Sequence, residues 1–496
     1  MNTTARVTRS TTFAAICGLA LAAGMAGAPA ALELAPAAHA QEQAPTIDFG
    51  AKGSINIHKR AGNAGTAHDS GNVNDAAPGT PLKGAGFTVW KVDVPFANTA
   101  DVQAAQKLTA ADAADKLGVK VGDEKVTGDN GMVSFDGLAV GAYYVKETTV
   151  PAGHVPGAPF LVFVPMTNPD TLTGWNYDVH VYPKNSENKA EKKVVDADQN
   201  VGDSITYSIT SDIPTPAKSF ADGGRVSKYE VVDTLDPRVT VVESGISVAF
   251  DDGTAIPRSS YTPTVEGNVA KVVFNEEGLE LLSANVGKRL VTTIEATVKE
   301  IGTGSSEISN EATVISNNGA GSGDTTTPTN EVKTWHGKLK VLKHATDGTP
   351  LKGATFELHR CAGQAALGDK ISINGTSSWT TGDDGTLLID GLHVTDIENH
   401  DQPISKKYCL KETKAPAGYE LLPEPIEFTF TRDDIAAVDD AAGDDAVTLV
   451  KKVENVKSVT PQLPLTGGAG IGLIVALGGL LIGAGAWYAK RNGTRA

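Results

Sequence analysis

The chain has 496 residues, room for about three domains at roughly 150 residues each, with few aromatics and a formal net charge of -16. So acidic a balance argues against nucleic acid or an anionic membrane as the main partner. Short apolar/polar alternations, such as 204–210 and 291–298, predict an all-β chain, and Ala100 to Leu117 is the one stretch that reads as a helix.

Residues 1–40 read as a Sec signal peptide. Arg6 and Arg9 precede a weakly apolar run from Phe13 to Ala28, and Ala38 and Ala40 place small residues at a cleavage site after Ala40. Cys17 leaves with it. Cys361 and Cys409 then remain in an exported chain, which predicts a disulfide, the other reading being two buried free thiols.

A first domain is expected over 41–186. Ile55, Ile57 and Lys59 share one face of a strand, and the Gly- and Asn-rich stretch 60–79 reads as a loop. Trp175, Tyr177, Val179 and Val181 alternate as a later strand, which Pro183 ends by removing a backbone donor, leaving Lys184 displayed on the loop beyond. Taken alone, such a lysine is a solvated charge.

A middle domain is expected over 187–331. Asp196, Asp198 and Asn200 have a calcium-loop spacing but lack its glycine and its final glutamate, so the stretch reads as a solvated turn with no metal. The Gly-, Ser- and Thr-rich stretch 317–328 reads as a flexible connection. A third domain follows over 332–458 and repeats the first. Residues 348–356 nearly duplicate 79–87, Asp383-Asp-Gly385 matches Asp129-Asn-Gly131, and the runs beginning at Tyr408 and Tyr143 each reach a glutamate, Glu412 and Glu147.

The tail, 459–496, holds Leu463, Pro464, Leu465, Thr466 and Gly467, then an apolar run long enough to span a bilayer, then Lys490, Arg491 and Arg495. This pattern resembles a Gram-positive cell-wall sorting signal. The resemblance implies that a sortase cysteine cuts between Thr466 and Gly467, holds Thr466 as a thioester and passes it to an amine. The stretch Val181 to Asn185, with Trp175 upstream, resembles the pilin motif of sortase-assembled backbone pilins, in which the amine is that of the lysine, here Lys184. Donor and acceptor on one chain make a head-to-tail contact that does not close.

The run Tyr408 to Tyr419 resembles the E-box of the CnaB-like immunoglobulin fold. The first copy departs from it, with Val145 for the leucine and His154 for the final tyrosine. The middle segment resembles the CnaA-like pilin fold, so the implied architecture is three tandem immunoglobulin-like β-sandwiches. In this family a buried lysine amine attacks an asparagine carboxamide beside a protonated acid, ammonia leaves, and an isopeptide bond forms.

The matching positions are Lys343, Glu412 and Asn455 in the third domain. In the middle domain they are Lys193, Asp233 and Asn310. Lys193 shares strand parity with Val195, although a bulge would bring Lys192 inward instead. In the first domain they are Lys59, Glu147 and Asn185, where the degraded E-box leaves closure open.

The whole resembles the shaft pilin of a sortase-assembled fimbria, most like the Actinomyces type. The alternative is a wall-anchored adhesin or tip pilin that binds a host ligand, but tip proteins usually lack the acceptor motif and carry a large extra module. The implied partners are identical subunits, pilus-specific and housekeeping sortases, a tip pilin and peptidoglycan, with no cofactor and no nucleic acid. The implied location is a surface fimbria anchored to the cell wall. No His-x-x-x-His, His-Glu-x-x-His, Gly-x-Ser-x-Gly or CxxC pattern supports a wall-anchored enzyme, and the resemblance implies a sortase substrate whose own bonds form autocatalytically.

Overall fold

The computed structural model describes residues 46–458 except 63–70, 75, 168–173, 302–304, 364–366, 405 and 437–446. The expected signal peptide and the sorting tail with Thr466 lie outside the described residues. The chain divides into two compact units, one drawn from Met1–Val195, Ile205–Ala296 and Ser309–Lys333, the other from Asp196–Ser204, Thr297–Ile308 and Thr334–Ala496.

In the first unit, β1 (Lys52–His58), β2 (Arg60–Ala61), β3 (Gly86–Val92), β4 (Leu117–Lys120), β5 (Met132–Ala139), β6 (Gly141–Thr149), β7 (Phe160–Val164), β8 (Asp178–Val181) and β9 (Lys184–Glu187) build a sandwich. One sheet has the order β8-β1-β5 and the other β7-β6-β3-β4. Period-two alternation sends Ile55 and Ile57 of β1, Phe87 and Val89 of β3, and Val179 and Val181 of β8 into one shared core.

The expected helix is two short ones, α1 (Thr99–Ala105) and α2 (Ala110–Ala114). Thr109 breaks it by starting a new capping box. Its hydroxyl accepts from the Asp112 N–H at 3.1 Å and the Asp112 carboxylate accepts from its own N–H at 2.9 Å.

The same unit holds β10 (Ala190–Val195), β11 (Ser204–Asp212), β12 (Lys228–Thr234), β13 (Val239–Phe250), β14 (Tyr261–Glu266), β15 (Val269–Phe274), β16 (Arg289–Val298), β17 (Glu307–Asn310), β18 (Ala312–Asn317) and β19 (Thr325–Pro328). Their sheets have the orders β10-β11-β16-β13 and β14-β15-β12-β18-β19, with β17 in neither. The expected flexible connection at 317–328 therefore ends in a paired strand. Thr325 and Thr327 point inward and are buried, and threonine is β-branched, so the stretch suits a pleated surface better than its composition suggests.

The second unit is built from β20 (Val332–Ala345), β21 (Thr355–Cys361), β22 (Leu367–Lys370), β23 (Thr386–His393), β24 (Lys407–Lys414), β25 (Ile426–Phe428) and β26 (Thr448–Asn455). β20 takes β26 in parallel and β23 antiparallel, as β1 takes β8 and β5. The order β25-β24-β21-β22 likewise mirrors β7-β6-β3-β4. The internal repeat is thus a repeat of topology.

The turn 196–200 is not solvated as expected. Asp196 and Asn200 are buried. Asp196 accepts from the Asn399 N–H at 2.5 Å and lies 3.1 Å from His393 Nε2, while Asn200 accepts from the His393 N–H and the Tyr408 hydroxyl.

Candidate cross-linking sites

Each lysine of interest is held by its backbone before its side chain acts. Lys59 and Lys343 stand at matching places in the repeat. Their N–H groups donate to the carbonyls of Gly131 and Gly385, and their carbonyls accept from the N–H groups of Leu82 and Leu351. Those partners come from the duplicated Asp-x-Gly and Gly-Thr-Pro-Leu-Lys-Gly segments, a role that reading the sequence alone did not assign. Gly131 and Gly385 have φ of +70° and +72°, and a Cβ at either would lie 2.5 or 2.6 Å from the lysine carbonyl, so only glycine fits.

In the second unit Lys343 Nζ donates to Asn455 Oδ1 and lies 3.6 Å from Glu412 Oε1. Asn455 Nδ2 donates to both Glu412 oxygens at 3.1 and 3.0 Å. All three side chains are buried. Burial drives the Lys343 amine down to about 8, against the pull of the Glu412 charge.

In the first sandwich Lys59 Nζ donates to Glu147 Oε2 at 2.8 Å and Asn185 Nδ2 donates to Glu147 Oε1 at 2.7 Å. One carboxylate thus holds amine and carboxamide together in a fully buried set. Burial lowers Lys59 from its ordinary value while Glu147 opposes the shift.

The middle set corrects the expected lysine. Lys192, not Lys193, faces Asp233, with Nζ 2.6 Å from Oδ2. Lys193 points to solvent, 69% exposed, beside Glu191. Along β10 it is Lys192 and Val194 that are buried while Val195 faces out, so the parity was taken from the wrong one of two adjacent valines. Asn310 Nδ2 lies 3.5 Å from Asp233 Oδ2. Burial lowers Lys192 to about 8 and raises Asp233 above the carboxylate range. Asp233 Oδ1 and Asn310 Oδ1 are both buried without a partner among the described residues.

Cys361 and Cys409 form a disulfide, Cα to Cα 5.8 Å. It ties β21 to β24, the strand that also carries Glu412.

Lys184 does not lie on a loop. It opens β9, which runs parallel to β2 with Lys184 level with Arg60. Pro183 gives up only a donor. Its carbonyl still accepts from the Arg60 N–H at 3.1 Å, so pairing passes from β8 and β1 to β9 and β2 across a break shared by both strands. The next residue, Asn185, points into the core, and Lys184 takes the opposite face. Lys184 Nζ is covered and has no hydrogen-bond partner among the described residues.

Three families match in succession: Gram-positive pilin subunit D1, N-terminal domain, over 50–186; cell surface antigen I/II C2 terminal domain over 183–332; and a prealbumin-like fold domain over 337–442. The chain is 33% identical over 536 aligned positions to the fimbrial subunit type 1 of Actinomyces viscosus, spanning 96% of this chain and 98% of that protein. The full-length major pilin SpaD from Corynebacterium diphtheriae is similar in structure, with a TM-score of 0.70, 40% identity, and coverage of 83% of this chain and 99% of that one. The major pilin SpaA of the same organism, described as having a modular pilus assembly with stabilizing isopeptide bonds, gives a TM-score of 0.59 at 26% identity, over 82% of this chain and 100% of that one. Matched along nearly its whole length by one fimbrial subunit and in fold by two major pilins, the chain belongs to the Gram-positive fimbrial subunits, as a tandem-sandwich shaft pilin of the Actinomyces type.

Proposed function

We propose that the chain is the repeating unit of a covalent fimbria, joined head to tail by a sortase. The sortase cysteine attacks the Thr466 carbonyl, the bond to Gly467 breaks, and the Lys184 amine of the next subunit displaces the thioester, so that Thr466 becomes an amide on Lys184 Nζ. After Sec export the same sorting signal lets a housekeeping sortase anchor the finished polymer to peptidoglycan, and a tip pilin ends it.

Within each subunit, Lys343 with Asn455, Lys192 with Asn310, and Lys59 with Asn185 close isopeptide bonds without another enzyme, each releasing ammonia. The domains carrying them are 41–186, 187–331 and 332–458. The observation that carries this reading is the repeated set of a buried lysine, a buried acid and a buried asparagine, in contact through the acid. A buried amine held near 8 spends part of its time neutral at physiological pH, as a nucleophile must. In the first sandwich Asn185 adjoins the acceptor Lys184, which suits an order of polymerisation first and closure second.

The test is a denaturing gel of the fimbriae. A ladder of high mass is expected, collapsing to monomer in Lys184→Ala, and a ladder that persists in that variant refutes the acceptor assignment.

A further inference from the structure

Lys184 poses a problem for its own reaction, because an amine that attacks a thioester in another protein must reach it, and here Nζ is covered. Two residues before it, at Tyr182, begins a set of rings. β1 and β8 run parallel with Asn56 level with His180. His58 Nε2 and His180 Nδ1 are 2.8 Å apart. The His58 ring stacks on Tyr182 with centroids 4.5 Å apart, and the Tyr182 hydroxyl accepts from the Asn74 N–H at 2.6 Å. The two strand pairs keep the same register across the break, Ile57 level with Val181 and Arg60 level with Lys184, so Tyr182 precedes Lys184 by two residues as His58 precedes Arg60.

An N to N contact of 2.8 Å between imidazoles requires one nitrogen to donate and the other to accept. The contact therefore exists only while the facing nitrogens share a single proton. With both protonated, two donors and two positive charges meet and the rings are driven apart. Around the pair, Asp178 Oδ2 is 3.5 Å from His180 Nε2, and hydrogen bonding from Ser54 holds that carboxyl below its usual range despite partial desolvation. On β5, Met132 is level with His58 and Ser134 with Asn56, and the Ser134 hydroxyl is shared between Asn56 Oδ1 and Asp136 Oδ1. The Gly71–Asn74 segment brings no charge and accepts the His180 N–H at the Gly71 carbonyl. Arg60 and Lys184, level with each other, follow His58 and Tyr182 two residues on.

We propose that His58, His180 and Tyr182 are positioning residues for the acceptor amine: the imidazole pair, sharing one proton, pins the Tyr182 step and keeps Lys184 covered, and protonation of both rings frees it. This rests on Lys184 being the acceptor. Local acidity, or a partner that presents a carboxylate to either ring, would release the amine.

The test needs no sortase. Purified folded monomer is acylated with an amine-reactive acetate ester, and peptide mass spectrometry gives the ratio of modification at Lys184 to that at exposed Lys193, which cancels the general loss of amine reactivity in acid. From about pH 8 to about pH 5.5, across the imidazole range, the ratio is expected to rise several-fold in the wild type. In His58→Phe, which keeps a ring on Tyr182 but cannot share a proton, it is expected to be high and flat. A wild-type ratio that does not change with pH overturns the proposal, as does a His58→Phe protein that retains the wild-type response. A ladder that survives in Lys184→Ala would instead sink the acceptor reading while leaving the labelling ratio as measured.

Discussion

The two lysines at 192 and 193 show how much turns on which face of a strand a residue takes. Lys192→Arg is expected to abolish the loss of one ammonia from the middle segment in intact-mass spectrometry, and Lys193→Arg to leave it in place. Burial rather than the trio of residue types is expected to decide the outcome, and a further trio tests this. Lys228 Nζ is 2.8 Å from Asp324, Asn317 Nδ2 is 3.1 Å from the same carboxylate, and Lys228 lies level with Asn317. Yet the Lys228 and Asp324 side chains are about a third or more exposed, and the hydrogen bond to Asp324 raises the Lys228 amine instead of lowering it. No ammonia should be lost there, and a crosslink peptide joining Lys228 to Asn317 would refute the burial argument. The same shifts give a pH signature in Asn310→Ala, which cannot close. Lys192 is held near 8 in the fold against 10.5 when free, so above about pH 8 the unfolded chain binds more protons and stability rises with pH. The urea midpoint should climb between about pH 8 and pH 9.5 and should be pH-independent there in Lys192→Met.

At the scale of strands, the repeat was legible because its duplicated segments do a fixed job, holding the backbone of Lys59 and Lys343. It also matched Glu147 to Glu412, whereas the asparagines and Asp233 came from the family resemblance. What was not legible arose where composition and structure part. The adjacent valines at 194 and 195 left the parity of β10 undecided. The Thr-rich stretch near 325 hid a strand, Thr109 hid a helix break, and the turn at Asp196 found buried partners some two hundred residues away. Lys184 was misplaced for a similar reason, since a proline ends donation by one residue but not pairing by its neighbours. The disulfide closes a separation of 48 residues between β21 and β24. In the chain-entropy account such a loop contributes about 4 kcal/mol, so Cys361→Ser should lower the unfolding free energy of a Glu412→Ala background by that order. An unchanged denaturant midpoint would show that the bridge is mechanically idle.

For the whole molecule the placement of the bonds matters more than their number. In the second unit β20 enters and β26 leaves side by side, and Lys343 lies 112 residues before Asn455. With the proposed bond closed, a pull from the chain before Lys343 to the chain after Asn455 would pass through one amide, and the strands between would carry no load. If the bond is closed, single-molecule pulling on this unit should show no lengthening from those residues. If it is opened by Glu412→Ala, unfolding should release chain in proportion to the residues between the ends, at about 3.6 Å each. That is about 400 Å with the disulfide reduced, and roughly 170 Å less with it intact, because the 48-residue loop stays shut. An intact wild-type unit that lengthens by the full amount would mean that Lys343 and Asn455 meet without bonding, and the shaft would then owe its strength to packing alone.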